Sequence, residues 1–120
     1  MRALIIICLA SLVAAPAMAA RNTWVTGKVI STVVSEDAKF GGCLVKLDTP
    51  YQDQVPACEN AWLSFDCAGL FTEKSSGARR LDAAILSAAM GIPIRARISG
   101  SRKVDGWCVA DRVDVQFATP

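Results

Sequence analysis

The spacing of apolar and polar residues changes twice along the chain. Residues 24–34 (WVTGKVISTVV) are dense in β-branched side chains and predict a long first strand. A polar, glycine-ending connection at 36–42 leads to a second strand at 43–47 (CLVKL). Residues 48–60 carry Pro50 and Pro56 among polar neighbours and read as a loop; 62–67 (WLSFDC) predicts a third strand. The period then becomes helical. Ser75 and Ser76 can cap a helix whose apolar residues Leu81, Ile85, Ala88 and Ala89 recur at one-turn and two-turn spacing. Gly91 stands where a left-handed C-terminal residue is expected, and Pro93 bars continuation. Ile94, Ala96 and Ile98 then alternate with Arg95 and Arg97 as a half-buried fourth strand. Residues 100–106 read as a charged turn. The last strand is placed at 108–117, with Val109, Val113, Val115 and Phe117 sharing one face.

Three strands, one helix and two strands describe a mainly β (α+β) domain. The order matches a five-stranded OB-fold-like barrel with its helix between the third and fourth strands. A helix packed on an antiparallel sheet, the generic α+β sandwich, is the alternative. No internal repeat, linker or low-complexity tract interrupts the pattern.

The first twenty residues do not belong to that domain. Arg2 supplies a positive start, an apolar run follows to Ala15, and Pro16 precedes the small residues Ala17-Met18-Ala19-Ala20. That is the layout of a signal peptide. It predicts a secreted or periplasmic chain with one domain at 21–120 and no membrane span in the mature part. Removing Arg2 with the leader leaves twelve cations against eleven anions. Such a balance gives no reason to expect nucleic acid as a partner.

The leader also removes Cys8, leaving Cys43, Cys58, Cys67 and Cys108. An even set in a small exported domain predicts two disulfides. Zinc is the competing reading, but the close Cys-x-x-Cys spacing of structural sites is missing, so neither metal nor cofactor is expected. In the barrel, the second and third strands form a hairpin centred near Gln54, which sets Cys43 opposite Cys67. The fifth strand runs parallel to the third and brings Cys108 towards Cys58. Cys43–Cys67 and Cys58–Cys108 are therefore favoured over the other two connectivities.

The chain has no histidine. The usual general base near neutral pH and any Ser-His or Cys-His pair are therefore missing, and a catalytic role is not expected. Asp111 and Asp114 could pair as carboxylates, but solvated charge or pairing with Arg112 explains them more simply. No phosphate loop or zinc-protease motif occurs. Binding residues are better represented. Trp62 opens the third strand, and Arg102, Lys103 and Trp107 lie in or beside the loop between the fourth and fifth strands. OB-folds use that loop for oligonucleotide or oligosaccharide ligands. An aromatic face beside a cation can stack on a sugar ring and pair with its acidic groups. Against this, either tryptophan can simply cap the barrel and shield a disulfide. Arg95 and Arg97 read first as a solvated strand face and second as a ligand-facing or subunit-facing stripe. Arg79 and Arg80 are placed at the helix start, where the dipole disfavours cations slightly.

The segments Cys43-Leu44-Val45-Lys46-Leu47, Ala61-Trp62-Leu63-Ser64-Phe65-Asp66-Cys67, the helix to Ala88-Ala89, and Lys103-Val104-Asp105-Gly106-Trp107-Cys108 continuing to Val115 carry a resemblance in layout. With the four cysteines, this part of the chain resembles the B subunits of AB5-type bacterial toxins and their OB-fold relatives among small secreted bacterial proteins. The resemblance implies an OB-fold, ring oligomerisation and glycan recognition. Together these readings favour a non-enzymatic, disulfide-stabilised binding module for a glycan or an extracellular protein. An inhibitor or accessory subunit of an exported enzyme is the alternative.

Overall fold

The computed structural model describes residues 22–51, 55–58 and 61–117. The predicted leader at 1–20 and the predicted hairpin centre at Gln54 lie outside them. The elements are β1 (Asn22–Gly27), β2 (Val29–Val34), a 3-10 turn (Lys39–Gly42), β3 (Cys43–Leu47), β4 (Trp62–Ser64), α1 (Lys74–Met90), β5 (Ile94–Val104) and β6 (Trp107–Val115). The strands form one six-stranded mixed sheet in the order β1-β5-β6-β4-β3-β2, in which β4 and β6 are the parallel pair.

β1 and β2 are the predicted long first strand, divided at Lys28. The division costs no backbone bonding. The Lys28 N–H donates to Asp48 Oδ1 at 2.8 Å, and the Lys28 carbonyl accepts from the Asp48 N–H at 2.9 Å. A Cβ on Gly27 would stand 3.0 Å from Asp48 Oδ1 and 3.1 Å from Leu47 Cβ, so glycine allows the close approach. Dividing one strand this way makes its two halves the two edges of the sheet. The sheet is therefore six-stranded and is not closed, in place of the predicted five-stranded barrel.

Alternation along the strands gives the sheet two faces. Val25, Val45, Leu63, Ile94, Ala96 and Ile98 belong to the core with Cys43, Cys58 and Cys108. The disulfides are Cys43–Cys67 and Cys58–Cys108, the two pairs that the strand arrangement favours. β4 ends at Ser64, three residues short of the predicted strand, because Asp66 turns into the left-handed region at φ 57°. β5 runs on to Val104, so most of the predicted charged turn is strand. The hairpin closes on Asp105 and Gly106 alone (φ 52° and 89°), the Asp-Gly chemistry of a two-residue turn. A register shift in β5–β6 between Arg97 and Ile98 switches the parity of β6. Cys108 and Ala110 face the core before it, and Val113 and Val115 pack on the core after it. Val109 therefore does not share their face, and Phe117 lies exposed beyond the strand end.

Helix α1 begins after Glu73, so Ser75 and Ser76 lie inside its first turn, and Arg79 and Arg80 fall in the second turn rather than at the start. Its buried stripe is Gly77, Leu81, Ala84 and Ser87, and shares only Leu81 with the predicted stripe; Ile85 is 45 % exposed. The small residues win because the helix sits close to the end of β4. A Cβ on Gly77 would meet the Asp66 and Phe65 carbonyl oxygens at 2.7 and 2.8 Å. Gly91 ends the helix at φ 69°, with its N–H on Ala88 O and the Ile92 N–H on Ser87 O.

Gly77→Ala should therefore lower stability by about 1–3 kcal/mol, although alanine normally favours a helix interior by about 1 kcal/mol over glycine. Gly91→Ala is the control, because no atom lies within 4 Å of its Cβ position. It should cost only the left-handed penalty of about 1–2 kcal/mol. Urea unfolding of both variants measures this, and a stabilised Gly77→Ala protein would contradict the close packing.

Candidate aromatic and cationic binding face

The sheet face opposite the core carries the three tryptophans with Arg95, Arg97 and Arg112. Ser64 pairs with Val109 in the parallel ladder. Trp62 and Trp107 each stand two residues before that pair, so the two predicted tryptophans lie side by side on this outer face. Both are half-buried, leaving ring surface accessible. Lys46 faces Trp62 across β3–β4, with Nζ 5.8 Å from the ring centroid. Below Trp62, its carbonyl accepts the Tyr51 hydroxyl, and burial pushes the Tyr51 phenol up.

Trp107 is fixed from its other side by Phe40, whose ring meets it edge-on at 4.8 Å. Phe40 occupies the left-handed region at φ 59°, which is costly for a side chain of this size. Two bonds hold it there: the Phe40 N–H donates to Asp105 Oδ2 at 3.1 Å, and Ser64 Oγ donates to the Phe40 carbonyl at 2.7 Å. The next residue must be glycine, because a Cβ on Gly41 would stand 2.5 Å from Ser64 Oγ. The 3-10 turn thus lies on the outer face and completes a strip running Phe40, Trp107, Trp62, Lys46.

The predicted cations separate. Arg102 is exposed and lies in the stretch between Ser99 and Lys103 where the β5–β6 register shifts, so strand pairing does not join it to the strip. Lys103 pairs with the core-facing Cys108, and its Nζ donates to the Ala57 carbonyl at 3.2 Å, away from the strip. Strand alternation separates neighbours that sequence proximity had grouped.

A second group on the outer face escaped the sequence reading as a unit. The Arg95 guanidinium carbon lies 4.3 Å from the centroid of the Trp24 ring and that of Arg112 5.2 Å from it. Arg97 and Asp111 form a two-point pair at 2.8 and 3.1 Å, and Asp111 holds the Arg97 guanidinium above its ordinary range. Arg112 pairs with Asp114 at 2.9 Å. Asp114 thus has the partner expected from the sequence, Arg112, whereas Asp111 is held by Arg97 of the neighbouring strand. The registers Trp24 with Arg97 and Arg97 with Arg112 put these residues on adjacent strands. The pattern Trp24, Arg95, Arg97 was available in sequence, but the pairing of β1 with β5 was not.

Two further features shape the molecule without aromatic chemistry. Arg80 reaches from α1 to Phe65 O at 2.9 Å and Thr72 Oγ1 at 2.6 Å; burial lowers its guanidinium, while Asp111 and Asp66 act in the other direction. A cleft of ≈ 300 Å³ near the Cys43–Cys67 bridge is bordered by Ser35, Glu36, Asp37, Cys67 and Lys74. Among the described residues no cluster has the makings of a metal site, and no helix is long and apolar enough to cross a membrane. Comparison with known protein families, curated proteins and solved structures finds no match to this chain.

Proposed function

We propose that the chain is an exported, non-enzymatic binding module that recognises a carbohydrate on an OB-like sheet, in the manner of toxin B subunits. The observation that carries the reading is the side-by-side pair Trp62 and Trp107, half-exposed on one sheet face with Lys46 beside Trp62. Sugars offer flat C–H surfaces to aromatic rings and hydroxyls to flanking polar groups. The strip is also held in advance. Phe40, Asp105 and Ser64 fix its upper end, which limits the ordering cost on binding. The OB-like reading draws on the sheet order, in which the two edges, β1 and β2, are halves of one strand divided at Lys28. Non-enzymatic binding suits a chain without histidine, and export suits two disulfides and the leader.

A glycan array on the oxidised mature protein tests this directly. Binding should fall by about tenfold or more in Trp107→Ala and Trp62→Ala, the loss expected for a stacking ring. No binding above background, with Trp107→Ala indistinguishable from the parent, rejects the carbohydrate reading.

A second reading, an inhibitor or accessory subunit assembled with another protein or with copies of itself, is favoured by one surface. The edge strand β2 exposes Ile30 and Val34, and α1 exposes Ile85, Leu86 and Met90 beside it. Such an edge invites pairing unless it is covered. Light scattering after size-exclusion chromatography, with a pull-down from the envelope fraction, separates the cases. A ring or a captured partner supports assembly; a monomer recovered alone rejects it.

A further inference from the structure

Of the three arginines grouped around Trp24, Arg95 is the one without a carboxylate partner among the described residues. Arg97 is taken by Asp111 and Arg112 by Asp114, each through two nitrogen–oxygen contacts. Arg95 stands directly opposite Asp114 in the β5–β6 register and opposite Thr26 in the β1–β5 register. Yet its contact among the described residues is the Trp24 ring. Its Nε is enclosed and has no hydrogen-bond acceptor. The half-buried guanidinium keeps its outer nitrogens for a ligand, and planar donors in a fork match a carboxylate. The ring quadrupole compensates only part of that charge.

We propose that Trp24, Arg95 and Arg112 form a second ligand site, which takes the carboxylate of an acidic, uronic-type saccharide. The saccharide class rests on the glycan reading above; the carboxylate does not. Three guanidinium groups meet two aspartates here, so the local excess is a single positive charge. A monoanion neutralises it, whereas a phosphate dianion overshoots and meets Asp111 and Asp114. The carboxylate accepts from the outer nitrogens of Arg95, while the exposed Thr26 lies beside it for a ring hydroxyl. The site is separate from the Trp62–Trp107 strip. Arg112 lies five positions beyond Trp107 on β6, about 16 Å at strand rise.

The three tryptophans make the test site-resolved. Isotope-labelled, oxidised mature protein is titrated with methyl β-glucuronide and with neutral methyl β-glucoside, and the three indole N–H signals are followed. The glucuronide should move Trp24 and bind about tenfold more tightly than the glucoside, since only it satisfies the guanidinium. Arg95→Lys, which keeps the charge and loses the fork, should weaken it by about tenfold. Asp114→Asn, which frees Arg112, should tighten it. Unmoved Trp62 and Trp107 signals in the free variants show that the fold is intact. Equal affinity for both sugars, no movement of Trp24, or indifference to both variants overturns the proposal. Movement confined to Trp62 and Trp107 also overturns it, and leaves the carbohydrate reading standing.

Discussion

Removing the Cys58–Cys108 bridge should cost more than any single side-chain change in this protein. The bridge closes a loop with a sequence separation of 50, whereas Cys43–Cys67 spans 24. Loop-closure entropy assigns about 4.1 kcal/mol to the first and about 3.4 kcal/mol to the second. Burial widens the difference. Cys58 and Cys108 are both inside the core, whereas Cys67 is half-exposed and lines a cleft. Replacing the deeper pair with alanine therefore also removes packed sulfur. Small domains have about 5–15 kcal/mol in total, so the loss removes a large share of the stability. Cys58→Ala/Cys108→Ala should lower the melting temperature by about 15–30 °C, and Cys43→Ala/Cys67→Ala should lower it less. Calorimetry of the two double variants measures both the size and the order. A deeper-bridge variant within 1 kcal/mol of the parent would show that the covalent link adds little to what the core already supplies.

The same bridges show which parts of the fold can be read from the sequence. Cysteine pairing follows from strand order and direction, and those follow from the β-branched segments and the single helical period. The parallel contact of β4 with β6, on which the Cys58–Cys108 argument depends, is present at Ser64 and Val109. Division of the first strand is a different matter. It depends on Asp48, twenty residues away, supplying both partners for Lys28, and no local propensity signals that. The buried face of α1 is hidden for a related reason. Periodicity selects the most apolar stripe, but contact with the Phe65 and Asp66 carbonyls demands the smallest one, through Gly77 and Ala84.

The candidate face divides in a similar way. Trp62 and Trp107 could be named individually, and the strand order then sets them side by side. Lys103 was grouped with them by adjacency in sequence, yet a strand reverses neighbouring side chains, and Lys103 ends on Ala57. In the sequence Trp24 is only the first residue of a β-branched segment. Its significance comes from Arg95 and Arg112, 71 and 88 positions later, and sequence alone gives no register for that meeting. Phe40 was hidden by an apparently ordinary glycine-ending loop, although its contact fixes one end of the strip.

Asp66→Ala should be the most damaging single substitution outside the disulfides. The Asp66 side chain is fully buried and its backbone is left-handed. Its carboxylate accepts the N–H groups of Leu70, Phe71 and Thr72 at 2.8, 2.7 and 2.6 Å, together with the Thr72 hydroxyl at 3.2 Å. One side chain thus organises the whole passage from β4 to α1. Alanine would orphan three backbone donors and incur the left-handed penalty. It would also withdraw an anion that helps Arg80 remain charged against burial. The expected loss is about 3–5 kcal/mol, the range for removing one partner from a buried charged network. Asn should cost about half as much, since it tolerates the left-handed backbone and keeps one oxygen acceptor. Urea unfolding gives the totals, and hydrogen exchange at residues 70–72 localises them. Those amides should lose protection in Asp66→Ala before the core strands do. If Asp66→Ala and Asp66→Asn were equally mild and the three amides stayed protected, the loop would be held by its packing on Gly77 and Arg80. If Ala is severe and Asn intermediate, the carboxylate is what fixes the helix to the sheet, and the backbone angle at residue 66 contributes only part of the loss.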